Sequence, residues 1–201
     1  AALKRIGFDY VFDTNFAADL TIMEEGSELL KRLEEPEKYR WPMFTSCCPA
    51  WVTFIRDNWP DYRSNLSTAK SPQQMFGAAV KSYFAEKKGI EADRIRCISV
   101  MPCVAKKGEA EQPSMKNRDG LADVDIVLTT RELVRMIKAE HINPRVLKEV
   151  PFDDLMGESS GAGVIFGVTG GVMEAALRTA WAGGGEKNPE GGAFAAGRGS
   201  G

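Results

Sequence analysis

Residues 95–107 read IRCISVMPCVAKK. The first seven residues, IRCISVM, have the β-branched and apolar character of a buried strand, and Pro102 stops it. A second such run, VDIVL, occupies 124–128. Directly behind it, Thr129 and Glu132 have the spacing of a capping box, which opens a helix over RELVRMIKAE. On the N-terminal side, Ser71–Pro72 begins a helix, QQMFGAAVKSYFAEKK, and Gly89 ends it. Pro49 suits the first turn of a helix running to about Asn58. It follows a short apolar run, Met43–Phe44, that reads as the end of a strand. Residues 16–35 read as an amphipathic helix with apolar positions at Leu20, Ile22, Met23, Leu29, Leu30 and Leu33. Gly26 is its weak point, at about 1 kcal/mol relative to Ala. A last helix is expected from Gly171 to Ala182. Strands alternating with helices predict an α/β fold with a largely parallel sheet.

Composition narrows the function classes. The chain has 201 residues, 43% of them hydrophobic and 27% charged, which are ordinary globular values. A net charge of −2 gives no basic excess for nucleic acid. No run approaches the roughly 18 apolar residues of a membrane span. The N-terminal residues AALKRIGFDYVF lack signal-peptide architecture, so the expected location is cytoplasmic. The single histidine, His141, cannot build a multi-histidine metal site and reads as a helix-end residue. Residues 183–201 hold 8 glycines in 19 positions and read as a loop or tail.

The four cysteines are Cys47, Cys48, Cys97 and Cys103. Parity allows disulfides, although nothing else suggests secretion. A zinc ribbon normally uses CxxC pairs, whereas Cys47 and Cys48 are adjacent and point in different directions. TSCCPAW places that pair between a short strand and a helix, and MPCVAKK places Cys103 at a similar junction. Ligand sites of α/β sheets gather at such strand ends. Thiolates there suit iron–sulfur chemistry. Lys106 and Lys107 would lower a thiol pKa and balance an anionic cluster. Cys97, inside the strand run, reads as core.

Several ordered stretches resemble the catalytic domain of the iron-only (FeFe) hydrogenases. They are TSCCPAW at 45–51, MPCVAKKGE at 101–109, LSTAKSPQQMFG at 66–77, FDTNFAADLTIMEE at 12–25, DVDIVLTTREL at 123–133 and GAGVIFGVTGGVMEAALR at 161–178. The resemblance runs in register over roughly 1–182. It implies an iron-only hydrogenase-like α/β fold, with parallel sheets flanked by helices in two lobes and incomplete here. The implied cofactor is the H-cluster, a 4Fe–4S cube linked to a diiron centre that carries CO, cyanide and azadithiolate. By the resemblance, Cys48 and Cys103 are cube ligands, and Cys47 passes protons to the diiron site. Lys106 donates to a cyanide ligand. Met101, Pro102, Gln73, Phe166 and Ser46 line the cofactor. A proton route through Arg32, Glu28, Ser67 and Glu25 leads to Cys47. Glu25, Glu28 and Arg32 are spaced i, i+3, i+7, which sets them on one helix face. Without the resemblance, that face reads as a solvated charged surface.

The family pattern has a third cysteine motif towards the C-terminus, and no cysteine follows Cys103 here. The expectation is therefore a partial H-cluster domain. A C-terminal portion or a partner subunit would supply two more cysteines, and residues 1–15 and 171–201 would lack packing partners. The implied activity is the reversible reduction of protons to H2. Implied partners are ferredoxin or another electron carrier and the hydrogenase maturation proteins. The alternatives are a Narf-like iron–sulfur assembly relative or an H2-sensing relative. Cys47 is the discriminating residue, since such relatives usually lack a cysteine there. Glutamine at position 25 or 28 is expected to slow turnover by about two orders of magnitude with little effect on folding.

Overall fold

The computed structural model describes residues 1–154, 159–168 and 170–183. The glycine-rich segment from 184 onward lies outside the described residues. The chain forms two compact units, one of Ala1–Thr14 with Phe76–Glu158 and the other of Asn15–Met75 with Ser159–Gly201.

In the second of these, the helical unit, α2 (Asn15–Glu34) is the central element. It is accompanied by α3 (Pro49–Asn58), the start of α4 (Pro72–Ala79), α8 (Gly161–Phe166) and α9 (Gly171–Gly183). Pro49 stands in the first turn of α3, where its missing N–H costs nothing. The α2 helix packs on α8 and α9. Its small residues Ala17 and Ala18 are buried, as are Ala175 and Ala176 of α9, so the helix backbones approach closely. Residues 171–183 thus have a packing partner, contrary to the expectation of an open end. Ser160 caps α8 by accepting from the Ala162 N–H at 3.1 Å, and its own hydroxyl donates to Asp19 at 2.8 Å.

The apolar reading of α2 needs correction. Met23 and Leu33 are each 57% exposed and Leu30 is exposed, whereas Thr21, Glu25 and Arg32 are buried beside Ile22. The inward face follows the 3.6-residue period through Ala18, Thr21, Ile22, Glu25, Glu28 and Arg32. It is a polar face turned inward.

Met43–Phe44 forms a single parallel bridge rather than a strand, Phe44 pairing with Leu66. Phe44 N–H donates to Asn65 O at 2.8 Å, and Ser67 N–H donates to Phe44 O at 2.7 Å.

The sheet unit contains α1 (Ala2–Ile6), β1 (Ile98–Met101), α6 (Ala105–Ala110), β2 (Ile126–Thr129) and α7 (Thr130–Ala139). It also holds the end of α4, a π-helical turn over Val80–Phe84, and α5 (Ala85–Lys88). The two strands are parallel, with Ile98 opposite Ile126 and Met101 opposite Thr129. The capping box at Thr129 and Glu132 is formed as predicted. Gly89 ends α5 in the left-handed conformation, φ 64°. His141 follows α7 with φ 52°, a helix-end position.

Both strands start later than the sequence suggests. The Cys97 N–H is taken by the Asp125 carboxylate at 2.7 Å, and the Cys97 carbonyl accepts from Asp125 and Ile126 N–H. Cys97 is therefore half-buried just ahead of β1 rather than inside it. The helix after Pro72 is also not uniform. It widens at Val80–Phe84, where Lys81 is buried and donates to Ala122 O at 2.6 Å. Gly77 is required there, because a Cβ would overlap the Asp123 carbonyl.

Candidate functional site

The polar face of α2 carries the densest hydrogen-bonding in the helical unit. Arg32 donates from Nε and Nη2 to Glu28 Oε1, at 3.0 and 2.5 Å. Its Nη1 and Nη2 also donate to the carbonyls of Asn65 and Leu66, at 3.4 and 2.9 Å. The Tyr39 ring lies 5.3 Å from the guanidinium carbon. The other Glu28 oxygen, Oε2, accepts from Ser67 Oγ at 2.8 Å, Thr68 N–H at 2.9 Å and Thr68 Oγ1 at 3.1 Å. One turn earlier, Glu25 Oε1 accepts from the Ser46 N–H at 3.1 Å. Glu25 Oε2 is buried and makes no hydrogen bond among the described residues.

These surroundings push the two carboxyl groups apart. For Glu25, burial is the largest influence and raises its pKa. The Ser46 N–H and the Ser67 hydroxyl oppose that rise, and the Glu28 charge adds to it. For Glu28, burial again works upward, but Arg32, the Thr68 N–H and the Ser67 hydroxyl outweigh it and the pKa is lowered. Two neighbouring carboxyls with opposite shifts are suited to holding and passing one proton.

The Phe44–Leu66 bridge and α2 together place this pair beside the cysteine segment. Ser46, whose N–H binds Glu25, precedes Cys47, and the Ser46 hydroxyl donates to Ala69 O at 2.9 Å. The structure thus gathers Glu25, Glu28, Arg32, Ser67 and Ser46 in the helical unit. Cys47 is half-buried, and Cys48, at the N-cap of α3, is exposed. Gln73 is buried in the first turn of α4, and Phe166 is half-buried at the end of α8. Thr68 was not expected, and neither were the carbonyls of Asn65 and Leu66. The only signal for Thr68 is its position next to Ser67.

Met101, Pro102, Cys103 and Lys106 belong to the sheet unit. Met101 ends β1, Pro102 is exposed, and Cys103 is half-buried ahead of α6. Lys106 pairs with the buried Glu109 at 3.0 Å. Lys107 does not serve a thiol as expected. Its ammonium lies 2.7 Å from Glu132, whose pKa falls to about 2 through Lys107 and the two Thr129 hydrogen bonds. That ion pair belongs to the N-terminus of α7.

None of the four cysteines is in a disulfide among the described residues. Burial pushes the Cys97 thiol up to about 11, so it stays protonated and is a poor metal ligand. The other thiols, on Cys47, Cys48 and Cys103, are soft sulfur donors of the kind that fits an iron–sulfur group. Cys48 stands at the positive end of a ten-residue helix, which favours an anionic cluster there. Buried polar atoms without partners, Ser71 Oγ and the Gln74 amide, also lie in the helical unit. No three His, Cys, Asp or Glu side chains converge among the described residues.

Comparison with known proteins agrees with this chemistry. Residues 1–200 match the family model described as iron only hydrogenase large subunit, C-terminal domain. The chain is 54% identical over 185 residues to the NADP-reducing hydrogenase subunit HndD of Solidesulfovibrio fructosivorans, covering 90% of this chain and 32% of that protein. A solved structure of a variant of apo FeFe-hydrogenase HydA1 from Chlamydomonas reinhardtii superimposes with a TM-score of 0.79 at 52% identity, covering 90% of this chain and 45% of that one. The similarity to the cytosolic Fe-S cluster assembly factor narfl of Xenopus tropicalis is lower, 34% over 187 residues, or 90% of this chain and 39% of that protein. The chain thus spans less than half the length of each of these relatives. With the family model matching nearly end to end, the chain belongs to the family formed by the C-terminal domain of the iron-only hydrogenase large subunit.

Proposed function

We propose that this chain is part of a hydrogenase catalytic domain that reduces protons reversibly to H2, with Cys48 and Cys103 as iron ligands. The observation that carries the reading is the hydrogen bond from Ser46 N–H to the buried Glu25, which ties the carboxyl pair to the segment bearing Cys47. An H-cluster, when bound, would relay electrons from an external carrier and provide the metal site at which protons are reduced. The residues of this chain supply protons and shape the site. Glu25, its pKa raised chiefly by burial, takes up a proton more readily than an exposed carboxyl does. Ser67 donates to Glu28 and is close enough to Glu25 to influence its charge, so it can bridge the two carboxyls. Arg32 holds Glu28 in place. Cys47 takes the proton onward from Glu25. By the resemblance, Lys106, Met101 and Pro102 in the sheet unit and Gln73, Phe166 and Ser46 in the helical unit would each contribute to holding the cofactor.

With Cys48 and Cys103 as two ligands of a cube that takes four protein thiolates, the other two would come from a C-terminal portion or a partner subunit. Electrons would arrive from ferredoxin or another carrier, and maturation proteins would install the diiron unit. No described helix is long and apolar enough to cross a membrane. We infer a cytoplasmic setting, since cysteines kept out of disulfides suit a reducing compartment.

The test is Cys47→Ser in the cofactor-loaded protein that contains this domain. The expected result is loss of most H2 production from reduced viologen with iron content unchanged. Loss of iron–sulfur absorbance would make Cys47 a ligand and overturn the division of roles. Wild-type protein that loads iron but makes no H2 would favour the assembly-factor reading.

A further inference from the structure

The family's proton route starts at an arginine, but this structure gives Arg32 a different task. Its guanidinium is buried and commits four hydrogen bonds, two to Glu28 Oε1 and two to backbone carbonyls. A guanidinium does not give up its proton in a protein. Glu28 Oε2 has a different environment. It accepts from two hydroxyls, Ser67 Oγ on a buried residue and Thr68 Oγ1 on an exposed one. The Thr68 N–H fixes the same oxygen at 2.9 Å. Arg32 and Glu25, both on α2, are the charged groups set against Glu28, and residues 67–68 contribute only hydroxyls and an amide.

We propose that Thr68 Oγ1 is the group through which Glu28 exchanges its proton with water, while Arg32 is a positioning residue that turns Oε2 toward it. The direction of use, from solvent inward, rests on the hydrogenase reading. The step balances as an exchange along one hydroxyl. A hydronium ion transfers a proton to Thr68 Oγ1 and becomes water. The Thr68 O–H bond that points at Glu28 breaks, and an O–H bond forms on Oε2. Thr68 ends as the same neutral alcohol, and Glu28 becomes the carboxylic acid. Ser67, on the same oxygen, faces the next acceptor inward.

The experiment compares Thr68→Val, which keeps side-chain shape and the backbone N–H, with Thr68→Ser, which keeps the hydroxyl. In the 201-residue chain, carbon-13 NMR follows the Glu28 carboxyl through a pH titration. Valine should move the Glu28 midpoint up by about half a pH unit, because a donor to the ionised form is lost, and serine should leave it in place. In the cofactor-loaded protein, valine should lower H2 production about tenfold with the KM for the electron donor unchanged, and serine should stay within about twofold of wild type. An unchanged Glu28 titration with valine overturns the proposal. So does a shifted titration with wild-type turnover, which would leave Thr68 orienting the carboxylate and place proton exchange elsewhere. Failure of the hydrogenase reading is seen separately, as loaded wild-type protein that makes no H2 while the Glu28 titration still responds to Thr68.

Discussion

Two charge clusters, each built on a buried cation and one in each unit, use similar residues for different ends. In the sheet unit, the buried Lys81 pairs with Asp125 Oδ2 at 2.7 Å and donates to Ala122 O, and the same Asp125 oxygen takes the Cys97 N–H. The bonds described there tie a helix to the chain segments leading into β1 and β2. On α2, Arg32 satisfies only one oxygen of Glu28, hydroxyls serve the other, and Glu25 keeps a buried oxygen without a hydrogen bond. The first arrangement anchors backbone. The second connects exchangeable protons between groups of opposite pKa shift. A buried charge is therefore read by what its partners can exchange.

The largest expected effect lies in the anchoring cluster. Lys81→Met removes the counter-charge of Asp125 and the donor to Ala122 O, and should cost about 3 kcal/mol of stability in denaturant unfolding, without altering the Glu25 titration. A loss below about 1 kcal/mol would show that the cluster does not anchor β2.

Glu28→Gln should cost about 2 kcal/mol at pH 7, because the buried Arg32 loses its counter-charge while the amide oxygen still accepts. This revises the expectation that a volume-conserving change leaves folding untouched. Glu28 has a lowered pKa, so its contribution is present above its ordinary 4.5 and fades as pH falls through the folded value. The wild-type advantage over this variant should shrink in acid.

Thr129→Ala removes the side-chain cap of α7 and should cost about 1 kcal/mol, with the Glu25 and Glu28 titrations unchanged. A changed titration of either glutamate would connect two regions that this comparison treats as separate.

The smallest effect has the opposite sign. Glu25 has a raised pKa, so its stabilising contribution is complete below the ordinary 4.5 and is lost as pH rises through the folded value. Glu25→Gln mimics the protonated form. Thermal melts should place the variant slightly above wild type at pH 7 and level with it near pH 4. A variant less stable than wild type at pH 7 would mean that Glu25 is held as an anion.

Local chemistry was readable in the sequence wherever one residue settles it. Pro49 opens α3, Gly89 closes α5, and Thr129 with Glu132 caps α7. Reading failed where a distant partner decides. The π turn depends on Lys81 reaching residues about 40 positions later, and the start of β1 depends on the Asp125 side chain. The α2 face shows both outcomes. Helical spacing placed Glu25, Glu28 and Arg32 together, but periodic hydrophobicity assigned the interior to leucines that the fold leaves exposed. Thr68 becomes visible only when the fold brings it to a glutamate 40 residues earlier. The opposite pKa shifts follow from burial and donor count, which spacing does not encode.

The lone Phe44–Leu66 bridge works as a mechanical jig. Its two backbone hydrogen bonds run from Phe44 to Asn65 and from Ser67 to Phe44, so the strip leading to the cysteine pair and the strip carrying the hydroxyls are clamped edge to edge. Any displacement of one strip carries the other with it, and the separation between proton donor and acceptor is conserved through thermal motion. The tolerance of the site is thus set by a seam one residue long, and the amide hydrogens of Phe44 and Ser67 should open to solvent together rather than singly.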